Sequence, residues 1–333
     1  MICDLHVHVA GTSASHPGNY LAPSLVRSLS FRGFLARFGL SWKAGQPAFD
    51  DLVVRQTLAW LNGSKSDQAV LLALDAAYRL DGTRDEKKTL LVTANDYAAD
   101  VAAKSPKTIF GASVHPYRRD ALAELERVIQ RGACLVKWLP AAQNIEADHP
   151  RCFPFYEALA HHHLPLLCHT GSEHTLKAYP NSLNDPRKLI PALKRGVTVI
   201  AAHCGTSVFL HERSYFRVWR RMALEHANFY GDLSAFGIIT RVRPLRIILN
   251  DPALLSKVVY GSDFPAWTMP LSCLGHFGLS RALALRRVRN PFDQAVQLMQ
   301  AAEVPDEVFS RAAELIRLPK SKPDPAAPMA LSA

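Results

Sequence analysis

The first residues in the chain equipped for chemistry are His6 and His8, in the run Cys3-Asp4-Leu5-His6-Val7-His8-Val9. Side chains alternate along an extended strand, so both imidazoles project from one face and can share a metal ion. The pair alone is ambiguous, because a solvated strand can carry the same spacing. Later apolar runs, however, each end in a residue that could complete the same site: Lys137, His169, His203 and Asp263. Six such residues at the ends of five strand-like runs point to a metal centre and not to chance.

Something must bring those ends together. From residue 67 onward, short β-branched or leucine-rich runs alternate with helix-like segments. Strands are predicted over 69–75, 109–115, 134–139, 164–169, 197–203, 228–234 and 257–263, which with the opening run makes eight. Their nearly continuous apolar character is that of parallel strands covered on both faces. Between them, 120–131 places Ala121, Leu122, Leu125, Val128 and Ile129 on one helical face. Asp185-Pro186 opens another helix as N-cap and first-turn proline, and Gly196 closes it. The expected fold class is therefore α/β, a (β/α)8 TIM barrel, in which strand C-termini build the active site.

Residues 1–318 are read as one domain, with residues 319–333, rich in proline, lysine and alanine, as a disordered tail. The irregular part is the insertion 10–63 between the first two strands. Its segment 24–40 mixes Leu25, Leu29, Phe34, Leu35 and Phe38 with arginines. That pattern fits a membrane-surface helix or, more simply, a lid packed on the barrel mouth. The crossover helix proper is predicted over 50–62, with Asn62-Gly63 at its end.

With these motifs in hand, the chain resembles the amidohydrolase superfamily, most closely its branch of metal-dependent TIM-barrel hydrolases that also holds decarboxylases and hydratases. The resemblance rests on His6-x-His8, His169-Thr-Gly, Ala-His203-Cys-Gly and Gly-Ser-Asp263-Phe-Pro, in that order. It implies that His6, His8, His169 and Asp263 bind one divalent metal, zinc in most members, and that His203 contacts the activated water or the substrate. Chemistry agrees, since a metal lowers the pKa of water and Asp263 can accept the proton released. In binuclear members a carboxylated lysine bridges two metals, which here would add Lys137 and His203 to the ligands. In the nearest branch Lys137 would instead stay a cation that grips an anionic substrate group. We take the single-metal form as the expectation.

Secondary substrate-contact candidates are His115 and Arg118, after the third strand, and Glu173 and His174, after His169-Thr-Gly. For these, and for Asp75 and Asp232, a rim or capping role weighs at least equally. The histidine run 161–163 reads as a solvated helix end.

Composition sets the outer limits. An apolar content of 48% against 20% charged residues is that of a globular chain with a sizeable core, and no run approaches a membrane span. The net charge of +10 comes largely from arginines in 213–221, 241–246 and 281–289. A basic face can bind nucleic acid, but no recognised motif accompanies it, so solvated helix faces are the simpler reading. The six cysteines form no C-x-x-C pair, and with no basic-then-apolar leader the expected location is cytoplasmic. The expectation is thus a zinc-dependent hydrolase that directs metal-activated hydroxide at a C–N or C–O bond of a small, anionic molecule. The alternatives are a non-oxidative decarboxylase or hydratase of the same superfamily, and a non-catalytic basic barrel binding nucleic acid. Neither a nucleic acid nor a membrane is the expected partner, and a homodimer is left open.

Overall fold

The computed structural model describes residues 1–40 and 47–317. The expected tail, 319–333, and residues 41–46 of the insertion lie outside the described residues. Within them, parallel strands follow one another in chain order: β1 (Cys3–His8), β2 (Gln68–Leu72), β3 (Thr108–Gly111), β4 (Val136–Trp138), β5 (Leu166–His169), β6 (Val199–Ala202), β7 (Phe229–Asp232) and β8 (Val258–Val259). β1, β2 and β3 pair in that order, and β4 to β8 form a second run of neighbours. Bridges Ala112–Val136 and Val7–Phe264 join the two runs and close the ring. The architecture is the (β/α)8 TIM barrel that the alternating pattern predicts, with helices packed outside it.

Sequence parity explains the layering. Val70, Leu72, Leu167, Ile200 and Val259 form an inner core that Ala312, Ala313 and Ile316 plug from the last helix. Their strand neighbours Leu71, Cys168, Val199, Ala201 and Val258 pack outward beneath the helices. In β1 the alternation is reset: Leu5 belongs to the inner core and Val7 to the outer one, and the β1–β2 register shifts between Asp4 and Val7. A bulge of this kind re-aims side chains, and here it places His6 and His8 on the inner face opposite Val7.

Several expectations about element bounds need correction, and the strands expected over 69–75 and 109–115 already end at Leu72 and Gly111. The strands predicted over 197–203 and 257–263 stop earlier, at Ala202 and Val259. His203, Cys204 and Asp263 take φ values of 61°, 51° and 61°, which no extended strand allows. The segment 24–40 is two helices, Pro23–Val26 and Leu29–Arg37, parted at Arg27-Ser28. Ser28 is the reason, because its hydroxyl accepts from Phe31 N at 3.2 Å and starts a new helix. Finally, Tyr20–Leu21 pairs antiparallel with Leu91–Val92, a ribbon too short to leave a periodic signal. No described helix is long and apolar enough to cross a membrane.

Candidate active site

Each chemistry-bearing side chain is set by a strand end. His6 and His8 lie at the end of β1, Lys137 in β4, His169 at the end of β5 and Asp232 at the end of β7. His203 follows β6 directly, and Asp263 follows β8 by four residues. The Asp263 loop is held to β1 by backbone bonds, Asp263 N to His6 O at 2.9 Å and His8 N to Phe264 O at 2.8 Å. Asp4 adds a second clamp, since its Oδ1 accepts from Ser262 N at 2.8 Å and from His6 N at 3.2 Å. Phe264 packs on Phe292, Phe38 and Trp60 with ring centroids 4.6, 5.7 and 6.0 Å away, which fixes the loop from the outside.

Three donor atoms converge. His6 Nε2 lies 3.2 Å from His8 Nε2, and Asp263 Oδ1 lies 3.5 Å from the first and 3.4 Å from the second. Ligands about 2.0–2.2 Å from a tetrahedral ion sit about 3.4 Å apart, so this spacing fits one divalent ion of zinc's size. The tautomer fits too. His6 Nδ1 lies 2.8 Å from Asp232 Oδ2, and a buried carboxylate there holds the proton on Nδ1 and turns the Nε2 lone pair inward. Burial, together with the nearby Lys137, lowers the His6 pKa to about 4, so the ring is neutral. Burial alone would raise the Asp263 carboxyl, but any proton the cluster holds resides on the facing His203, His6 and His8 imidazoles, which brings Asp263 well below the usual carboxylate range. A neutral imidazole at His6 and an ionised carboxylate at Asp263 are the protonation states that a metal ligand needs.

His169 is not among the three converging donors and stands next to His203. Its ring centroid is 4.8 Å from that of His203, its Nε2 is buried with no hydrogen-bond partner, and the nearest carboxylate, Glu173 Oε2, is 3.6 Å away. An orphaned buried ring nitrogen is a candidate fourth ligand atom. His203 is pinned at Nδ1, 2.8 Å from Ser234 Oγ and 3.1 Å from Arg241 Nη1, while its ring stacks on His6 at 5.5 Å. Burial and the Arg241 charge push its pKa well down, so it too is neutral.

Two of these residues were undervalued by the sequence reading. Asp232 is fully buried, accepts from His203 N at 2.8 Å as well as pairing with His6, and so orients two histidines at once. Arg241 corrects the expectation of a solvated basic face over 241–246: it is 2% exposed, its Nη1 donates to Ser234 O at 2.9 Å, and its Nε has no partner. A signal existed, since Arg241, Leu245 and Ile248 occupy one buried helical stripe at i, i+4 and i+7.

A cavity of about 540 Å3 opens over this cluster, and His8, His169, Glu173, His174, His203, Arg241 and Asp263 line it. Helix Leu29–Arg37 lies over the same space, and Arg37 ties it to the Asp263 loop through Pro265 O at 3.0 Å and through Ala266 O. Lys137 is not part of the lining. It is fully buried with Nζ 3.0 Å from His6 Nε2, and burial lowers its pKa. His115 and Arg118 also lie elsewhere. The His115 ring binds Gln143 O at 2.7 Å, and Arg118 pairs with Asp75 at 3.2 Å and Asp120 at 2.7 Å.

The fold defines a class, the (β/α)8 TIM barrels with a cluster of histidines and aspartates at the strand ends, and sequence comparison narrows it. The amidohydrolase family profile matches residues 3–285, and the chain belongs to that family of enzymes. No curated protein matches the sequence. Solved structures resemble the fold at low identity. An uncharacterised TIM-barrel protein from Bordetella bronchiseptica superposes with a TM-score of 0.58 at 15% identity, covering 91% of this chain and 99% of the other. The 5-carboxyvanillate decarboxylase from Sphingomonas paucimobilis gives 0.57 at 16% identity, covering 96% and 99%. A proposed 2-pyrone-4,6-dicarboxylic acid hydrolase from Pseudomonas putida gives 0.54 at 14%, covering 95% and 97%.

Proposed function

We propose that this amidohydrolase hydrolyses a C–N or C–O bond of a small molecule, of the amide, ester or lactone type, with one zinc ion. The observation that carries the reading is the convergence of His6 Nε2, His8 Nε2 and Asp263 Oδ1, with His8 and Asp263 lining the cavity. These three residues and His169 would hold the ion. A divalent ion bound there lowers the pKa of water and polarises the carbonyl under attack.

The remaining steps belong to the chain. Asp263, ionised and beside the cavity, takes a proton at its carboxylate and returns it to the leaving group. His203, fixed at Nδ1 by Ser234 and Arg241, presents its other nitrogen to the substrate oxygen. Asp232 keeps His6 in the ligating tautomer. Lys137, next to His6, stays an unmodified amine. Arg241 is the cation that faces the cavity, and the grip on an anionic substrate group passes to it from Lys137.

Decarboxylation is the second reading, favoured by that same guanidinium, because a buried arginine that lines the cavity next to His203 suits a carboxylate. One experiment separates them. The zinc-loaded protein is incubated in 18O-labelled water with panels of esters, lactones, amides and aromatic acids. Hydrolysis places the label in an acid product, whereas decarboxylation releases carbon dioxide and leaves the organic product unlabelled. Turnover of neither panel, with metal bound, would count against both readings.

A further inference from the structure

The cavity wall says more about the substrate than the metal end does. Away from the histidines much of the lining comes from the insertion and the β8 loop, including Leu25, Phe34, Leu35, Val54, Phe264 and Trp267. Leu72, Leu74, Val101, Leu139 and Ile238 extend the apolar wall. The buried polar side chains in that part are engaged by the protein. Asp50 accepts from Thr12 N at 2.8 Å and from Thr12 Oγ1 at 2.6 Å. Thr57 and Thr93 donate to Val53 O at 2.8 Å and to Val9 O at 2.9 Å, and Ser172 Oγ accepts from Val208 N at 2.8 Å. Among the described lining residues, His169 and Arg241 are the ones that carry a buried side-chain nitrogen without a hydrogen-bond partner, and both stand next to His203. Apolar character also continues outward, since Leu29, Trp267 and Met269 line the cavity while remaining 84%, 50% and 52% exposed.

From this division, and resting on the hydrolase reading above, we propose that the substrate is amphipathic. Its reacting carbonyl or carboxylate lies at the His6, His8 and Asp263 end, and a bulky acyl or aryl group fills the apolar chamber beneath helix Leu29–Arg37. A polar body in that chamber would surrender its water hydrogen bonds and find no free partners. A volume of about 540 Å3 is also far larger than a two- or three-carbon acid needs and is of the size that holds drug-like ligands.

The test is a binding series that needs no turnover. Butanoate, hexanoate and octanoate are titrated calorimetrically into the zinc-loaded full-length protein, and again into metal-free protein. Burial of each added methylene predicts binding about threefold to fourfold tighter per carbon, or roughly 10²-fold from butanoate to octanoate. Val54→Phe, which fills the chamber away from the ligands, should remove most of that gain and leave butanoate affinity unchanged. If that variant does not fold, the same series on wild type decides the matter. Equal affinity for all three acids, or no binding of any, overturns the amphipathic substrate. Failure of the metal-site reading looks different: affinity would still rise with chain length but would be the same with and without zinc.

Discussion

His6 and Asp232 are joined by a buried 2.8 Å contact between Nδ1 and Oδ2, and that contact decides which nitrogen of His6 faces the cluster. The same carboxylate accepts from the His203 amide and from Ser234, so its orientation is over-determined. A carboxylate can only accept here, whereas an amide nitrogen at the Oδ2 position would donate to Nδ1 and move the ring proton to Nε2. Asp232→Asn should therefore keep the fold and lose roughly 10–100-fold in zinc affinity, measured by competition with a chromogenic chelator. Unchanged affinity would show that Asp232 does not set the tautomer.

His203 and His115 make a matched pair of buried histidines with opposite expected outcomes. His203→Ala should retain the metal and lose turnover, because its Nδ1 partners are Ser234 and Arg241 and its ring lines the cavity. His115→Ala should retain both, and lower stability by about 1–3 kcal/mol through loss of its bonds with Gln143 O and Tyr117 N. Elemental analysis, a denaturant melt and a rate measurement on the two variants check this. Loss of metal from His203→Ala to the same degree as from His6→Ala would favour a two-metal site.

Asp4 gives a pH signature. It is fully buried, its Oδ2 has no partner, and burial raises its pKa to about 6 despite the bonds from Ser262 and His6. Between the ordinary value of 3.8 and about 6, the folded chain holds a proton that the unfolded chain releases, so this group's contribution to stability falls as pH rises through that window. Asp4→Asn keeps Oδ1 as acceptor and puts an uncharged amide at the unpartnered position. Relative to wild type, the metal-free variant should gain up to roughly 3 kcal/mol between pH 4 and pH 7. A difference that stays flat over that range in urea melts would contradict the assignment.

Arg37 joins helix Leu29–Arg37 to the loop that carries Asp263, through Pro265 O and Ala266 O and across the faces of Phe264 and Trp267 at 5.5 and 5.4 Å. Arg37→Ala should speed limited proteolysis within 24–40, and bound octanoate should slow cleavage in wild type more than in the variant. Cleavage that ignores both ligand and substitution would remove any covering role for this helix.

The strand order and the polar strand ends were legible because buried parallel strands are continuously apolar, so a histidine, lysine or aspartate closing one stands out. That pattern gave His6, His8, Lys137, His169, His203 and Asp263, which the fold does gather at one end of the barrel, Lys137 buried against His6. Strand length was not legible at Asp263, where the backbone leaves β8 at Val259 and turns through a positive φ to reach the cluster. His115 and Arg118 follow a strand end just as His203 does, but their side chains find buried partners in Gln143 and Asp75 and never reach the cavity. Arg241 was hidden by composition: among many surface arginines, only its place on the Leu245 and Ile248 stripe marked it as inward. Asp232 was hidden for the opposite reason, since an acidic residue ending a strand has many ordinary uses and its partner lies 226 positions away.

The central claim is that His6, His8 and Asp263, with His169, hold one divalent ion. Elemental analysis of protein reloaded with zinc and freed of excess metal tests it most directly, alongside His8→Ala and a crystallographic map of the loaded protein. We predict about one zinc per chain on those four residues, lost in His8→Ala, with an unmodified Lys137 amine beside His6. No retained metal after reloading, or two ions bridged by planar density on the Lys137 amine, would contradict the account.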